Sequence, residues 1–566
     1  MNLESSDRAP RRGRVAERLR SARSARRPHP GVYAVVVAVV VAVLSALLPT
    51  SGAASAAERS GRADAADRPS ATQAPAEGAE GVGGAEGAEG AEGIEGAKKR
   101  KRKWGTTVID SPVTGSTFTP TNRAQLRISG RSWGKVKAKR VRISIRNLGT
   151  GHWRQDNGTF SARRDFRHAQ GTGRWSFEVV LPPGRYSIQA RSDRGRRKLD
   201  RTVAVRFNVT GRDPLRWPYP SNSFWNTPRG TSATLVPFGM KAPAEKTLRV
   251  EDDLLFMDPT LPTSQWTSIA PHSAGWKLNG DRCDANWNNT VPLGTTDAFP
   301  LRPLSDGDQF GIVPNHSAAI VMPDYTLRET QPLTECKDGF ASQYASGKWQ
   351  GDSLLTGGMG PNAANTSGGG SHGGSFMTAF GGTIRLGEWV RGGNIPHATK
   401  IEIFSRMWLT RDTALFKGYR WPALAADAGW AYGYGAAAPT PRSPHAVMGA
   451  LLTLPNTFNV SALTTEPAQI LARSIQDYGT YIVDGTGRDT VQVATEWSSR
   501  GRVTDEFRKE FGFSIDGDKA AATGAQAAFL ADMERIFVNL AIVTDNGPSK
   551  VGGAGARRTY SAPPLR

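Results

Sequence analysis

The stretch from 367 to 404 concentrates side chains able to do acid–base chemistry. His372 sits among the glycines between Gly368 and Gly374, Arg385 and Glu388 follow, and His397 opens a strand-like run in which Lys400 and Glu402 share a face. Glu329 lies on an earlier hairpin-like segment. Glycine lets the backbone approach a ligand closely. Carboxylates, an imidazole and aromatic rings together suit polysaccharide cleavage, in which paired acids protonate the leaving oxygen and activate water or the anomeric carbon. In a lyase, His372 or His397 would instead abstract a proton while Arg385 neutralises the uronate. Trp225, Trp389 and Trp421 are candidate platforms for sugar rings. The expected catalytic set is therefore Glu388, His372, His397, Glu329 and Arg385. Its plain alternative is an Arg385–Glu388 surface pair with the tryptophans in the core.

Other chemistries fit less well. GGSHG (369–373) matches G-x-S-x-G with Ser371 as nucleophile, and Asp427 and His445 follow in the chain order of a hydrolase triad. That motif needs a strand directly before it, whereas GPNAANTSGG reads as a loop. With 63 glycines in the chain, one chance match is expected. HExxH is absent, and His272, His316, His372, His397 and His445 are scattered singly, each reading as a structural histidine. Asp306 and Asp308 lack EF-hand spacing. No metal and no cofactor are expected. Cys283 and Cys336 are the two cysteines. In an exported chain they read as a disulfide, and closing a loop of some fifty residues would add about 4 kcal/mol.

The elements around these residues form one large region, 213–566. AAIV (318–321), the turn Pro323-Asp324-Tyr325 and TLRETQ (326–331) predict a hairpin, and Thr383–Val390 and Lys400–Phe404 alternate like strands. Past about 460 the periodicity turns helical. Thr465 is placed to cap a helix with Ile470, Leu471, Ile475 and Tyr478 on one side. Thr504 is placed to cap a short helix ending before Gly512, and Phe529, Met533, Ile536, Phe537 and Leu540 mark a third. This predicts an α+β module, β-rich first and helical at its C-terminal end. NSFWNTP (222–228), AAIVMPDYTLRETQP (318–332), SGGGSHGGSFMTAFGGTIRLGEW (367–389), IPHATKIEIF (395–404), YRWPA (419–423), QDYGTYIVD (476–484) and DNGPSKVGGAG (545–555) resemble a group of uncharacterised exported bacterial proteins of actinobacterial type. The resemblance brings no activity with it.

Charge separates the rest of the chain. The 566 residues carry a net +21, which invites a nucleic-acid reading, but the charge is uneven. Residues 106–212 hold 23 Lys and Arg against 6 acids, while 213–566 hold 31 against 33. Residues 1–56 read as an export segment: an arginine-rich start, the apolar run Gly31–Leu48, and Ala54-Ser55-Ala56 as a cleavage pattern. An uncleaved N-terminal anchor is its rival, since the run reaches the lower limit of about 17 residues for a span. The pairs Arg11-Arg12 and Arg26-Arg27 leave the export route open. Either way, chromosomal DNA is an unfit partner. Residues 57–105 repeat Glu-Gly-Ala, end in the cations Lys98 to Lys103, and bury too little to order, so they read as a flexible spacer.

Between spacer and module, Gln125–Ser129, Arg140–Ile145, Trp175–Leu181, Tyr186–Ala190 and Val203–Val209 alternate between turn signals, predicting an antiparallel β-sandwich over 106–212. In RVRISIR (140–146), Val141, Ile143 and Ile145 face inward and the arginines face water. IDSPVTGSTFT, HWRQDNGTF, GRWSFEVVLPPGRYSIQARSDR and VAVRFNVTG resemble the bacterial Ig-like domains of secreted enzymes and surface proteins. Its cations read as a solvated surface or as contacts to an anionic cell-wall polymer.

The expected protein is thus multidomain: an all-β Ig-like sandwich followed by a larger α+β module. It would be exported and envelope-associated, acting on an extracellular polysaccharide as a glycoside hydrolase or polysaccharide lyase. The alternative is a non-catalytic glycan-binding or adhesion protein. The expected partner is a polysaccharide or cell-wall polymer, not intracellular nucleic acid. Membrane contact would come only through an uncleaved anchor, and a monomer is expected.

Overall fold

The computed structural model describes residues 105–566, apart from 122–124, 135–136, 157, 195–196, 199–202, 245, 266, 274–280, 289, 294–316, 338–339, 345–351 and 361–368. The expected export segment and spacer, His316, Asp306 and Asp308 lie outside the described residues.

The basic segment folds as two antiparallel-rich sheets. Thr106–Ser111, Leu126–Trp133 and Arg174–Val179 form one. The second centres on Arg140–Asn147, Gly184–Arg194 and Val203–Val209. Alternation sends Val141, Ile143 and Ile145 into a core with Ile128, Trp175, Tyr186 and Ile188, as strand geometry requires. The outward cations are not all left to solvent. Arg142 pairs with the buried Asp193 at 2.9 Å, and Arg164 and Arg191 both lie over the Phe166 ring, 4.3 and 4.1 Å from its centroid.

The larger region is built on a ten-stranded mixed sheet in the order Leu235–Pro237, Ala541–Val543, Leu451–Thr453, Thr480–Gly485, Thr399–Ile403, Thr490–Ser498, Lys246–Phe256, Ala318–Val321, Leu327–Thr330, with Gly501–Arg502 pairing the Thr490–Ser498 strand. The predicted hairpin is present as the last two strands, joined through Tyr325 with a positive φ of 63°. A separate four-stranded sheet holds Thr267–His272 and Thr334–Lys337, and the Cys283–Cys336 disulfide is formed beside it. Among the described residues, no helix is long and apolar enough to cross a membrane.

The helices Glu466–Asp477, Val503–Phe511 and Gly524–Val538 lie where periodicity placed them. Strands Thr480–Gly485, Thr490–Ser498 and Ala541–Val543 are interleaved with them, so the C-terminal part also supplies much of the central sheet. Ile470, Leu471, Ile475, Phe529, Met533, Ile536 and Phe537 pack onto the face carrying Ile401, Ile403, Val491 and Val493. Gly512 ends its helix in the left-handed region, φ 83°.

Thr465 stands at the N-cap but makes no side-chain cap. Its hydroxyl donates instead to Asp532 Oδ2 of the neighbouring helix, 2.9 Å away, where it serves a buried carboxylate. Thr465→Ala is expected to lose about 1 kcal/mol through that bond, measured by denaturant unfolding. Thr504 lies inside its helix, whose N-cap is Arg502. Thr383–Val390 is not a strand. It is a turn-rich covering segment with one isolated β-bridge to the sheet, Ile384 to Thr495, and side-chain contacts from Thr383 to Asp253 and Arg385 to Glu496.

Candidate functional site

Pairing in the central sheet sets charged residues side by side. Asp253 lies opposite Glu496, and Glu251 opposite Ala494. Across the next pairing Glu402 faces Gln492, and on its other side Asp484. Successive residues of a strand point to opposite faces. Glu251, Asp253, Lys400, Glu402, Asp484 and Glu496 therefore share one face, while Ile401 and Ile403 occupy the helix-packed face. Glu329, paired with Ala319, extends the row.

The glycine-rich segment covers this row. Its backbone is folded back on itself by bonds from Gly370 N to Phe376 O at 2.7 Å and from His372 N to Met377 O at 3.0 Å. A side chain at Gly373 would collide with the Asp484 carboxylate, and one at Gly382 (φ 75°) with Trp225 and Lys400. The glycines thus allow close approach, as expected, but to the sheet's own carboxylates. Glu329 fastens the segment. Its buried carboxyl accepts from Ser371 N at 3.0 Å, Ala379 N at 2.7 Å and the Thr378 hydroxyl. Burial lifts it to about 7 in spite of these donors.

His372 is driven against the sheet, completely buried. Its Nε2 is 2.9 Å from Asp253 Oδ1 and 2.9 Å from Lys400 Nζ. The Lys400 ammonium already donates to Asp253 Oδ2 at 2.8 Å, Ala379 O at 3.0 Å and Thr378 O at 3.2 Å. With His372 Nε2, four acceptors surround its three protons. When Asp253 and the two carbonyls take them, Nε2 of His372 carries a proton given to Asp253 and Nδ1 bears a lone pair. Burial opposes ionisation of Asp253, but Lys400 and His372 outweigh it and hold its carboxyl below the ordinary value. Burial, and then Lys400, push His372 down, which keeps the ring neutral.

Nδ1 of His372 points at Glu402, 3.8 Å from Oε1. Nδ1 and the Oε1 atoms of Glu402 and Glu251 find no hydrogen-bond partner among the described residues. One ligand atom from each of the three side chains lies within 4.8 Å of the others. Burial lifts the Glu251 carboxyl to about 8, and burial together with the facing Glu251 lifts Glu402 well above its ordinary value. Asp484, beside them, accepts from Gly374 N at 3.2 Å and Gly485 N at 2.7 Å. The more open Asp427 takes the Tyr434 hydroxyl at 2.8 Å.

Arg385 and Glu388 belong to a different place. They line a cavity of about 330 Å³ with Thr121, Arg216, Leu386, Gly387, Glu496, Arg500 and Glu506. Glu388 Oε2 accepts from Arg385 N at 2.8 Å and lies 3.1 Å from His397 Nε2. Arg385 Nε is 3.0 Å from Glu496, and its NH2 donates to Leu215 O at 2.6 Å. Glu506 accepts from Gly387 N at 2.8 Å, and burial raises its carboxyl.

The expected site thus divides. Arg385, Glu388 and His397 come together at the cavity, and His372 sits in the buried row with Glu329 holding its loop. Trp225 and Trp389 are core residues, 1% and 0% exposed. Trp225 packs on Phe224 and Tyr481, and Trp389 donates to Pro467 O. Neither offers a ring face to a sugar, because large aromatic area is most stabilising when buried. Trp421 is half-buried edge-on to Phe224. Ser371 is buried with its hydroxyl 3.4 Å from Ala318 O, while His445 neighbours Arg420 and Phe416, so no Ser371–His445 dyad forms. His272 is buried and pushed down to about 4 by burial and by Arg282. Sequence reasoning missed Glu251, Asp253, Asp484, Glu496, Arg500 and Glu506. The available signal for Glu251 and Asp253 was the run of three acids inside RVEDDLLF (249–256), a strand that ends apolar.

No known family's sequence profile matches the chain, and no curated protein matches it. Among solved structures, it shows weak likeness to the fibronectin(III)-like modules of Clostridium thermocellum CbhA, at 15% identity over 26% of this chain and 56% of that one, with a TM-score of 0.12. A CARDB domain from Pyrococcus furiosus in complex with di-metal ions has 13% identity over 19% of this chain and 87% of that one, TM-score 0.12. Titin domains z1z2 in complex with telethonin have 9% identity over 42% and 95%, TM-score 0.12. The chain thus spans little more than half the length of the first. At these scores the likenesses carry no argument about function.

Proposed function

We propose that this is an exported, envelope-associated protein that acts on an extracellular polysaccharide, and that the cavity at Arg385 and Glu388 receives an acidic sugar. The observation that carries this is the cavity's wall, in which Arg216, Arg385 and Arg500 stand among Glu388, Glu496 and Glu506. Its volume is in the range of small-ligand sites. Arginines grip carboxylates with directed, charge-assisted bonds, and carboxyl groups suit the hydroxyls and the reacting oxygen of a glycan. Glu506, raised by burial, is suited to give a proton to the leaving oxygen. Glu388, held by His397, is suited to accept one. With a uronate, the base would take the proton beside the carboxylate as the glycosidic oxygen departs. With hydrolysis, water would attack instead. The disulfide supports an oxidising compartment, and the basic sandwich suits an anionic envelope.

The test is turnover by the full chain on neutral, uronic and peptidoglycan substrates. New reducing ends indicate cleavage, and ultraviolet absorbance of an unsaturated uronide separates lyase from hydrolase. Glu506→Gln is expected to lower turnover about 100-fold or more with its fold intact by circular dichroism. Binding without cleavage on every substrate would favour the non-catalytic reading, which the backbone bonds already made by Glu388 and Glu506 support.

A further inference from the structure

We propose that Glu251, His372 and Glu402 bind a divalent transition-metal ion, with zinc the best-suited ion. The inference goes beyond the glycan reading and does not depend on it, since none of the three lines the cavity at Arg385.

Three observations carry it. First, the donor atoms converge: one atom from each side chain lies within 4.8 Å of the others, and His372 Nδ1 is 3.8 Å from Glu402 Oε1. Ligands about 2.0–2.2 Å from a zinc ion lie roughly 3–4 Å apart, so the His372–Glu402 pair is already at ligand spacing, and a side-chain shift of about an ångström brings in a donor at the 4.8 Å bound. Second, the three atoms are buried and no N–H or hydroxyl among the described residues reaches them, while the Glu251 and Glu402 carboxyls bond each other. An unpartnered buried polar group is destabilising. A proton shared by the carboxyls would serve Glu251 and Glu402 and leave Nδ1 unserved, whereas one cation serves all three. Third, the ring is oriented for the task. Nε2–H donates to Asp253, itself fixed by Lys400 at 2.8 Å and Thr383 at 2.6 Å. This is the carboxylate–histidine arrangement that sets the tautomer of a metal-bound imidazole.

The mixed nitrogen and oxygen set selects among ions. An imidazole suits zinc, iron, nickel or copper, whereas calcium and magnesium prefer oxygen alone. Asp253 is a positioning residue: it touches the ring, not the ion.

The experiment is metal binding by the full chain after treatment with a chelator. Zinc, manganese and calcium are added separately, and binding is followed by competition with a chromogenic chelator and by the thermal midpoint. The expected result is one zinc per chain, bound more tightly than manganese and far more tightly than calcium, with a raised midpoint. Glu251→Gln and Glu402→Gln should each weaken zinc at least 10-fold. Without metal both should melt no lower than wild type, because each removes a carboxylate facing another. Asp253→Asn should weaken zinc about 10–100-fold. Glu388→Gln, in the cavity, should bind zinc as wild type does. Absence of zinc binding by the wild-type chain, or unchanged binding in both glutamine variants, would overturn the assignment.

Discussion

Replacing Lys400 by methionine is expected to lower the stability of the protein by about 3–5 kcal/mol, among the largest effects of any single change. The size follows from what the ammonium holds. Lys400 and Asp253 are both fully buried and 2.8 Å apart. The same ammonium satisfies the carbonyls of Thr378 and Ala379 in the covering segment. Methionine fills nearly the same volume, so packing is preserved and the loss isolates the charge. What remains is a carboxylate with no cation, and a buried unpaired charge is far more harmful than a missing pair. The double variant Lys400→Met with Asp253→Asn should therefore recover part of the loss, giving a favourable coupling in a double-mutant cycle. Urea unfolding monitored by tryptophan fluorescence measures it. A loss under about 1 kcal/mol in the single variant would mean that the ion pair is not a buried support of the sheet face.

Glu329→Ala is expected to cost a similar amount, about 3–5 kcal/mol at mildly acidic pH, because it strips acceptors from two backbone N–H groups and one hydroxyl inside the protein. Its glutamine variant separates charge from shape through pH. Glu329 is raised to about 7 in the folded protein from an ordinary value of 4.5. The folded state then binds the proton more tightly than the unfolded chain does. Stability from this group is fully present below about 4.5 and is lost as pH rises through 7. Glu329→Gln lacks that titration. Relative to wild type it should gain about 2.5 kcal/mol between pH 5 and pH 8. Neutral burial of His372 and His272 acts in the opposite direction below about 6.5, but it is common to both proteins and drops out of the difference. A pH-independent difference would place the carboxylate in a solvated setting.

Legibility in the sequence followed how locally each feature is determined. The hairpin of Ala318–Val321 and Leu327–Thr330 could be read because its turn residues and alternation are contiguous. The three helices could be read because their apolar stripes are. Thr383–Val390 misled because Ile384 and Leu386 alternate with polar neighbours, while the segment's buried residues are fixed one at a time by distant partners, Ile384 by Thr495 and Trp389 by Pro467. The pairing of Arg385, Glu388 and His397 was legible through proximity in the chain. The link of His372 to Glu251 and Asp253 was not, since more than a hundred residues separate them, and only the parallel pairing of Lys246–Phe256 with Thr490–Ser498 sets those acids in the row. Tryptophan abundance pointed to sugar platforms, yet burial is the stronger use of an indole, and two of the three candidates went to the core.

The most direct measurement is calorimetric titration of an oligouronide into the full chain and into an Arg216→Ala, Arg500→Ala double variant, both arginines being exposed on the cavity rim. The expected result is saturable binding to wild type that weakens with salt, at least about 10-fold weaker binding to the variant, and little binding of the matching neutral oligosaccharide. Equal affinity of the two proteins for the oligouronide, or equal affinity of wild type for the charged and neutral sugars, would contradict it.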